Sequence, residues 1–171
     1  MIERGKFAEL HCLSNYSFLR GASHPEELVY KASDLGYSAI AITDECSYSG
    51  LVKAHVAAKQ CGIKLIVGAE FFVDIAHGEE KNSVENIIML APTRQAYGQL
   101  SAFISKIRRK NQKGNSYLGY EDCQMGLSDC LILWSPELQD IDIQVSVGHK
   151  LKTIFQHFWI IREARPQPER N

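Results

Sequence analysis

Short apolar segments alternate with amphipathic segments along this chain, and glycine or polar residues separate them. Apolar runs such as 38–43 and 63–67 are typical of strands buried on both faces, whereas the segments between them follow a helical period. Gly36 and Gly62 stand where the first two helical segments should end. This alternation predicts right-handed crossovers and a parallel sheet with outer helices, either as an open sheet or as a barrel.

The predicted elements follow one another closely. In order, we predict a strand over 7–13, a helix over 27–35 with its cap at Ser23, a strand over 38–43, a helix over 50–61, a strand over 63–67 continued by 71–75, a polar loop over 76–82, a strand over 84–91, a helix over 93–110, a strand over 130–134, a partly helical segment over 145–158 and a strand over 159–161. A complete eight-unit barrel needs about 250 residues. A chain of 171 residues therefore predicts an α/β fold that is an incomplete (β/α) barrel.

Composition excludes several classes of protein. The chain is 45% hydrophobic with a net charge of −1, which is typical of a globular domain and gives no overall attraction for nucleic acid. No apolar run has the roughly 20 residues that span a bilayer, and the start lacks a signal-peptide core. The five cysteines have no C-x-x-C spacing, which argues against a disulfide framework or a zinc ribbon. We expect a cytoplasmic protein without membrane contact.

Four side chains suited to metal binding stand just after, or near the end of, predicted strands. His11 lies near the end of the first strand, Asp44 and Glu45 follow the second, and Glu70 follows the third. The carboxyl ends of parallel strands converge at one edge of the sheet, where active sites of such folds lie. One imidazole and three carboxylates suit zinc, manganese or iron.

Each of these residues also has a structural interpretation. His11 is equally well explained as a half-buried histidine bonded to a neighbouring loop. Asp44 suits a carboxylate that caps the turn into the second helix. Glu70 is also explained as one member of an ion pair with a nearby lysine, such as Lys64. Taken singly, none of the residues establishes a metal site.

Three segments together resemble a known family. They read ELHCLSNYSFLRG over 9–21, AITDE over 41–45 and VGAE over 67–70. They are similar to the first motifs of the PHP (polymerase and histidinol phosphatase) domain, over about 7–75 and more weakly to about 161. The resemblance implies a PHP-type barrel over 1–161, cut short before its later motifs, and a disordered tail over 162–171.

The resemblance also implies that the metal site is altered. Metal-binding PHP domains carry H-x-H, then an aspartate before a glycine, then T-D-H. Here His11 matches the first histidine, whereas Leu13, Arg20 and Glu45 stand at three other ligand positions. Leucine does not coordinate metals, and arginine brings a positive charge to a cation site. The resemblance therefore implies a vestigial site whose remaining ligands are His11, Asp44, Glu45 and Glu70. We expect no cofactor, and any residual metal is expected to be zinc or manganese.

The wider pattern, including FLRGASHPEEL over 18–28 and ITDECS over 42–47, resembles the amino-terminal region of error-prone bacterial DNA polymerases of the polymerase III alpha type. The resemblance implies a PHP module, inert by itself, of a DNA-directed DNA polymerase that acts in DNA repair and damage-induced mutagenesis. Nothing in the chain matches the palm, thumb or fingers regions. Implied partners are the rest of the polymerase and, through it, DNA and the sliding clamp.

Two other functions stay open on the sequence. One is a free-standing metal-dependent phosphoesterase of the histidinol phosphatase kind, which uses a metal-activated water. The other is a binding module that contacts polymerase partners. The basic run 106–113 is better explained as the end of a helix, where cations oppose the dipole, than as a phosphate contact. The strand aromatics Phe71, Phe72, Trp134 and Trp159 are predicted as core.

Overall fold

The computed structural model of the chain describes residues 7–74, 84–112, 114–124, 126–136 and 141–162. Within these ranges, seven strands and four helices follow in this order: β1 Ala8–Glu9, α1 Pro25–Asp34, β2 Ala39–Ile42, α2 Leu51–Cys61, β3 Lys64–Asp74, β4 Val84–Ala91, α3 Arg94–Lys110, β5 Leu118–Gly119, β6 Leu131–Ser135, α4 Ile141–Ile154 and β7 Phe158–Ile160. A 3₁₀ turn, Tyr120–Gln124, lies between β5 and β6.

The strands form one mixed sheet, curled into a half-barrel, with the order β1-β2-β3-β4-β6-β7. This confirms the α/β half-barrel, but the prediction of a wholly parallel sheet is wrong at β4. β4 pairs antiparallel with both β3 and β6. Only residues 75–83 separate β3 from β4, and a parallel crossover needs a dozen or more residues, usually with a helix.

The helices cover one face of the sheet. On that face Ile40 and Ile42 pack against α1 and α2, whereas Phe71, Ile87 and Trp134 pack against α3 and α4. The opposite, concave face carries a smaller apolar cluster of Ala41, Ile88, Leu90 and Leu133. Successive side chains of a strand point to opposite faces of the sheet. The residues that alternate with those under the helices, including the polar ones, therefore lie on the concave face.

Most predicted elements are confirmed within a few residues. β2 is buried throughout, Gly62 ends α2 with φ +74°, and Thr93 caps α3 by accepting a hydrogen bond from Ala96 N at 3.1 Å. The predicted cap of α1 is wrong by one position. His24 is the N-cap and its backbone N–H donates to Glu27 Oε2 at 2.8 Å, because Pro25 is preorganised for the first helical position.

Other predictions differ in extent. The first strand is shorter than the predicted 7–13, and β5 was not expected at all. Phe71 and Trp134 are buried as predicted, but Trp159 is 48% exposed. The predicted loop 76–82 and most of the predicted tail, 163–171, lie outside the described residues. In the described part of the chain, no helix has both the length and the apolar character to cross a membrane.

Candidate functional site

Three of the four predicted ligands converge on the concave face, where β1 and β2 end, although Glu70 lies inside β3 and not after it as predicted. His11, Glu45 and Glu70 lie around the guanidinium of Arg20. Glu45 is joined to Glu70 by a parallel backbone bridge. Asp44 lies beside them but points its carboxylate toward serines of the loop 14–21. Tertiary contacts therefore bring an imidazole, two carboxylates and a guanidinium into one cluster.

Glu70 is the centre of this cluster and its side chain is fully buried. Its Oε2 lies 2.8 Å from His11 Nε2 and accepts from Asn86 Nδ2 at 3.1 Å and from Arg20 Nη2 at 3.3 Å. Its Oε1 accepts from Arg20 Nη1. Burial alone would raise the pKa of Glu70, but the bonds from His11 and Arg20 outweigh it, so the pKa lies below its usual value.

Arg20 ties the loop to the sheet through two carboxylates. Besides Glu70, its Nη1 reaches Glu45 Oε2 at 3.4 Å. The guanidinium also lies over the ring of Phe72, 4.8 Å from the centroid, in the geometry of a cation–π contact. Burial by itself lowers the pKa of Arg20, but the hydrogen bonds and charge of Glu70 raise it by a larger amount. The pKa of Arg20 is therefore above its usual value. The basic partner of Glu70 is thus Arg20 and not Lys64, which stands six residues earlier on the same strand, roughly 20 Å away.

Glu45 is held from the far side by the end of α3 and the segment after it. Its Oε1 accepts a hydrogen bond from Ser116 Oγ. Arg108 donates from Nε to the Cys46 carbonyl at 2.9 Å and from Nη2 to the Glu45 carbonyl at 3.2 Å. Part of the basic run is therefore used within the molecule, to position the turn after β2, in which Cys46 has φ +43°.

Asp44 closes the loop 14–21. Its Oδ1 accepts from Ser14 N at 2.8 Å and Ser17 Oγ at 2.7 Å, and its Oδ2 accepts from Ser14 Oγ at 2.7 Å. Asp44 is 1% exposed, so these donors replace the water it loses on folding. These bonds join Asp44 to the preceding loop and not to α2. Asp44 therefore acts as a clamp, a side chain that fixes the loop 14–21, and not as a cap of the turn into the second helix.

The loop itself allows little variation at its end. A Cβ on Gly21 would lie 1.9 Å from the carbonyl oxygen of Ser14, closer than real Cβ contacts allow. Leu19, just before Arg20, has φ +61°, a conformation that is unusual for a bulky residue. The clamp at Asp44 and the Arg20 contacts hold this strained turn in place.

Two further polar residues extend the cluster across the sheet, and the sequence did not reveal them. Asn86 on β4 and Ser135 on β6 are register partners, and Phe72 on β3 pairs with Asn86. Both polar side chains are more than nine-tenths buried. Because β4 runs antiparallel, its first residues lie at the edge where β3 ends, so a search limited to strand carboxyl ends misses Asn86. Asn86 Oδ1 has no hydrogen-bond partner among the described residues.

The donor set does not suit a divalent ion in this arrangement. Both carboxylates that face the centre, Glu45 and Glu70, already share the guanidinium of Arg20, and a second cation beside it would be repelled. Asp44 is directed away, to Ser14 and Ser17. Within the described ranges no group of three or more His, Cys, Asp or Glu side chains is placed to hold a metal. The ligand role of the four residues stays a prediction.

Solved structures share this architecture. An amidohydrolase from Chromobacterium violaceum aligns with a TM-score of 0.65 and 16% identity, covering 86% of this chain and 74% of that one. A candidate metal-dependent phosphoesterase from Bifidobacterium adolescentis aligns with a TM-score of 0.58 and 12% identity, over 85% and 75%. At these identities the likeness shows the fold alone, an α/β half-barrel.

The family itself follows from the sequence match. The PHP domain family matches residues 9–149, and this chain belongs to that family. Error-prone DNA polymerases from Idiomarina loihiensis and Saccharophagus degradans are each 46% identical to it, over 95% and 91% of this chain. The relative from Teredinibacter turnerae is 51% identical over 76%. The chain spans 12% to 15% of the length of these three relatives.

Proposed function

We propose that this chain is the amino-terminal PHP module of an error-prone, DNA-directed DNA polymerase that acts in DNA repair and damage-induced mutagenesis. Identities of 46% over more than nine-tenths of the chain support this relationship. In the proposal the module is a scaffold without chemistry of its own. Nucleotide transfer, DNA and the sliding clamp belong to the rest of the polymerase.

The observation that carries the scaffold proposal is the guanidinium of Arg20 between Glu70 and Glu45. A metal ion in such a place would link the loop after β1 to the end of β2 and to β3 by binding their side chains. Arg20 makes the same link with hydrogen bonds, because its planar fork matches carboxylate oxygens and its charge is permanent. In this proposal the cluster keeps the structural role of a metal centre, which is to link the loop to the strands, but it holds no metal-activated water.

Metal analysis tests this proposal directly. After dialysis against zinc or manganese and then against metal-free buffer, we expect substoichiometric metal by mass spectrometry and no hydrolysis of p-nitrophenyl phosphate. The matched variant combines Leu13→His, Arg20→Asp and Glu45→His, which places ligands at the three altered positions. We expect it to retain more metal than the unaltered chain.

The opposite result would support the phosphoesterase function instead. Stoichiometric metal together with phosphate-ester turnover in the unaltered chain, abolished by Glu70→Gln, would contradict the scaffold proposal. The polymerase relationship has a separate test. Exchange of the matching region of the Idiomarina loihiensis relative for this chain should preserve primer extension, and loss of extension by a folded chimera would argue against it.

A further inference from the structure

Helix α3 carries positive charge and no negative charge. Its 17 residues include Arg94 in the first turn and four more cations from Lys106 to Lys110, but no aspartate or glutamate. The cations of the last turn oppose the helix dipole and stabilise the helix end. Arg94 does the reverse, because a cation in the first turn adds to the positive end of the dipole. Helix stability therefore does not account for Arg94.

Cations from both ends of α3 lie on its outer side. At about 3.6 residues per turn, the side opposite the buried Leu100 and Ile107 forms one exposed or half-exposed line along the helix. We call this line the outer stripe, and it consists of Arg94, Gly98, Ser101, Ala102, Ser105, Arg108 and Arg109. A rise of about 1.5 Å per residue places Arg94 and Arg109 about 22 Å apart along the axis. The residues between the arginines are small, and a Cβ on Gly98 would meet nothing within 4 Å, so the outer stripe is a smooth ridge with two positive ends.

The arginines of the outer stripe keep their charges unneutralised. Arg109 donates to a carbonyl of its own helix, and Arg108 donates to two carbonyls of the turn after β2. Carbonyl groups carry no net charge. In the described ranges, neither these two arginines nor Arg94 has a carboxylate within 4 Å. Lys110 differs from them, because it pairs with Asp122 at 2.6 Å.

This surface suits phosphate groups better than it suits a protein partner. The outer stripe contains none of the large apolar side chains that anchor protein interfaces. Arginine binds phosphate oxygens through two parallel hydrogen bonds, and serine hydroxyls add further donors. The acidic Asp129 lies on the flank of the helix, where Gln95 and Gln99 bond to it. The major groove of DNA is about 12 Å wide and has a phosphate strand on each side, so a ridge of about 22 Å can cross it with an arginine at each strand.

We propose that the outer stripe of α3 binds the phosphate backbone of duplex DNA, with Arg94 at one strand and Arg108 and Arg109 at the other. This contact goes beyond the proposed function, which assigns DNA to the rest of the polymerase. It reads no bases, because the middle of the stripe has no long polar side chain to reach the base edges. Since the net charge of −1 gives no overall attraction for DNA, the binding depends on the concentration of cations on this helix.

Fluorescence anisotropy of a labelled DNA duplex of mixed sequence, titrated with the 171-residue chain, tests the inference. Each phosphate contact releases counterions, so the binding constant falls as salt is added. Three contacts predict a slope of about −2.7 when the logarithm of the binding constant is plotted against the logarithm of the salt concentration. At about 50 mM salt we expect a dissociation constant in the micromolar range.

Variants show whether binding occurs at the outer stripe. Arg94→Gln combined with Arg109→Gln removes one contact at each end, so it should weaken binding by at least about tenfold and reduce the slope by about 1.8. The matched control, Lys31→Gln combined with Lys64→Gln, removes the same charge from exposed positions of α1 and β3. It should change the affinity by less than about threefold, because salt screens distant charges. Ala102→Glu, which puts a carboxylate in the middle of the stripe, should also weaken binding, and circular dichroism confirms that each variant is folded.

Several outcomes would overturn the inference. They are absence of binding at about 50 mM salt, a slope near zero, an equal loss of affinity in the lysine control, and tighter binding to a single strand than to the duplex. The assay uses this chain alone, and none of its variants alters the cluster around Arg20. A negative result therefore leaves the proposed function standing, and loss of primer extension by the chimera leaves the outer stripe standing.

Discussion

The guanidinium of Arg20 lies against the fully buried carboxylate of Glu70, with Nη2 3.3 Å from Oε2 and Nη1 bonded to Oε1. This pair connects the loop after β1 to the third strand of the sheet. Its energetic importance comes from burial, because a carboxylate without solvent must have partners that stabilise its charge. The first two predictions concern this pair.

Replacing Arg20 by alanine should destabilise the fold. Glu70 would keep His11 and Asn86 but lose its permanent cation, and we expect the free energy of unfolding in urea to fall by about 1–3 kcal/mol, less than for a fully buried pair because a third of Arg20 is exposed. Arg109→Ala is the control, since Arg109 is exposed and, among the described residues, bonds to the Ser105 carbonyl of its own helix. Equal effects of the two variants would contradict this role.

Acid should weaken the fold through Glu70. Its pKa is lowered in the folded state, so the charged carboxylate contributes stability that is fully present above the unfolded value of about 4.3. That contribution is lost as the pH falls through the lower, folded pKa. Urea unfolding across this range should show a pH dependence that Glu70→Gln reduces and that the exposed Glu121→Gln does not. If the free energy of unfolding falls equally with pH in the unaltered chain, in Glu70→Gln and in Glu121→Gln, Glu70 is not the group responsible.

Asp44→Asn should loosen the loop 14–21. The amide replaces one acceptor oxygen with a donor facing Ser14 or Ser17, and we expect a loss of about 1–3 kcal/mol in unfolding free energy. Hydrogen exchange at the Ser14 amide, which donates to Asp44 Oδ1 at 2.8 Å, should become faster. Asp34→Asn, at an exposed position of α1, should change neither quantity. Unchanged exchange at Ser14 would remove the clamp role of Asp44.

Two glycine substitutions should have opposite effects. A Cβ at Gly68 would lie 2.7 Å from Leu90 Cδ2 and 2.9 Å from Met89 O, so Gly68→Ala should destabilise the sheet by about 1–3 kcal/mol. A Cβ at Gly98, inside α3, meets nothing within 4 Å, so Gly98→Ala should stabilise by about 0.5–1 kcal/mol. Thermal unfolding measures both. A stable Gly68→Ala protein would mean that β4 can move away from β3.

Local sequence determined most of the secondary structure. Helices α2 and α3 and strand β2 follow from periodicity, from the cap at Thr93 and from the stop at Gly62, because these signals depend on neighbours a few residues apart. The resemblance of three short motifs also indicated the family, and family membership is now established over residues 9–149. The sequence also singled out Arg20, because it places a positive charge at a position where metal-binding members of the family have a ligand.

The tertiary structure decided what the cluster contains. Whether Arg20 binds Glu70 or points to solvent depends on contacts between residues 50 positions apart, which no local pattern encodes. Asn86 joins the cluster because β4 runs antiparallel, and that direction follows from how the sheet pairs. The sequence by itself determined where strands and helices form, since short-range hydrogen bonding and periodicity suffice for that. Only the fold determined which side chains meet, because meeting depends on strand direction, register and burial.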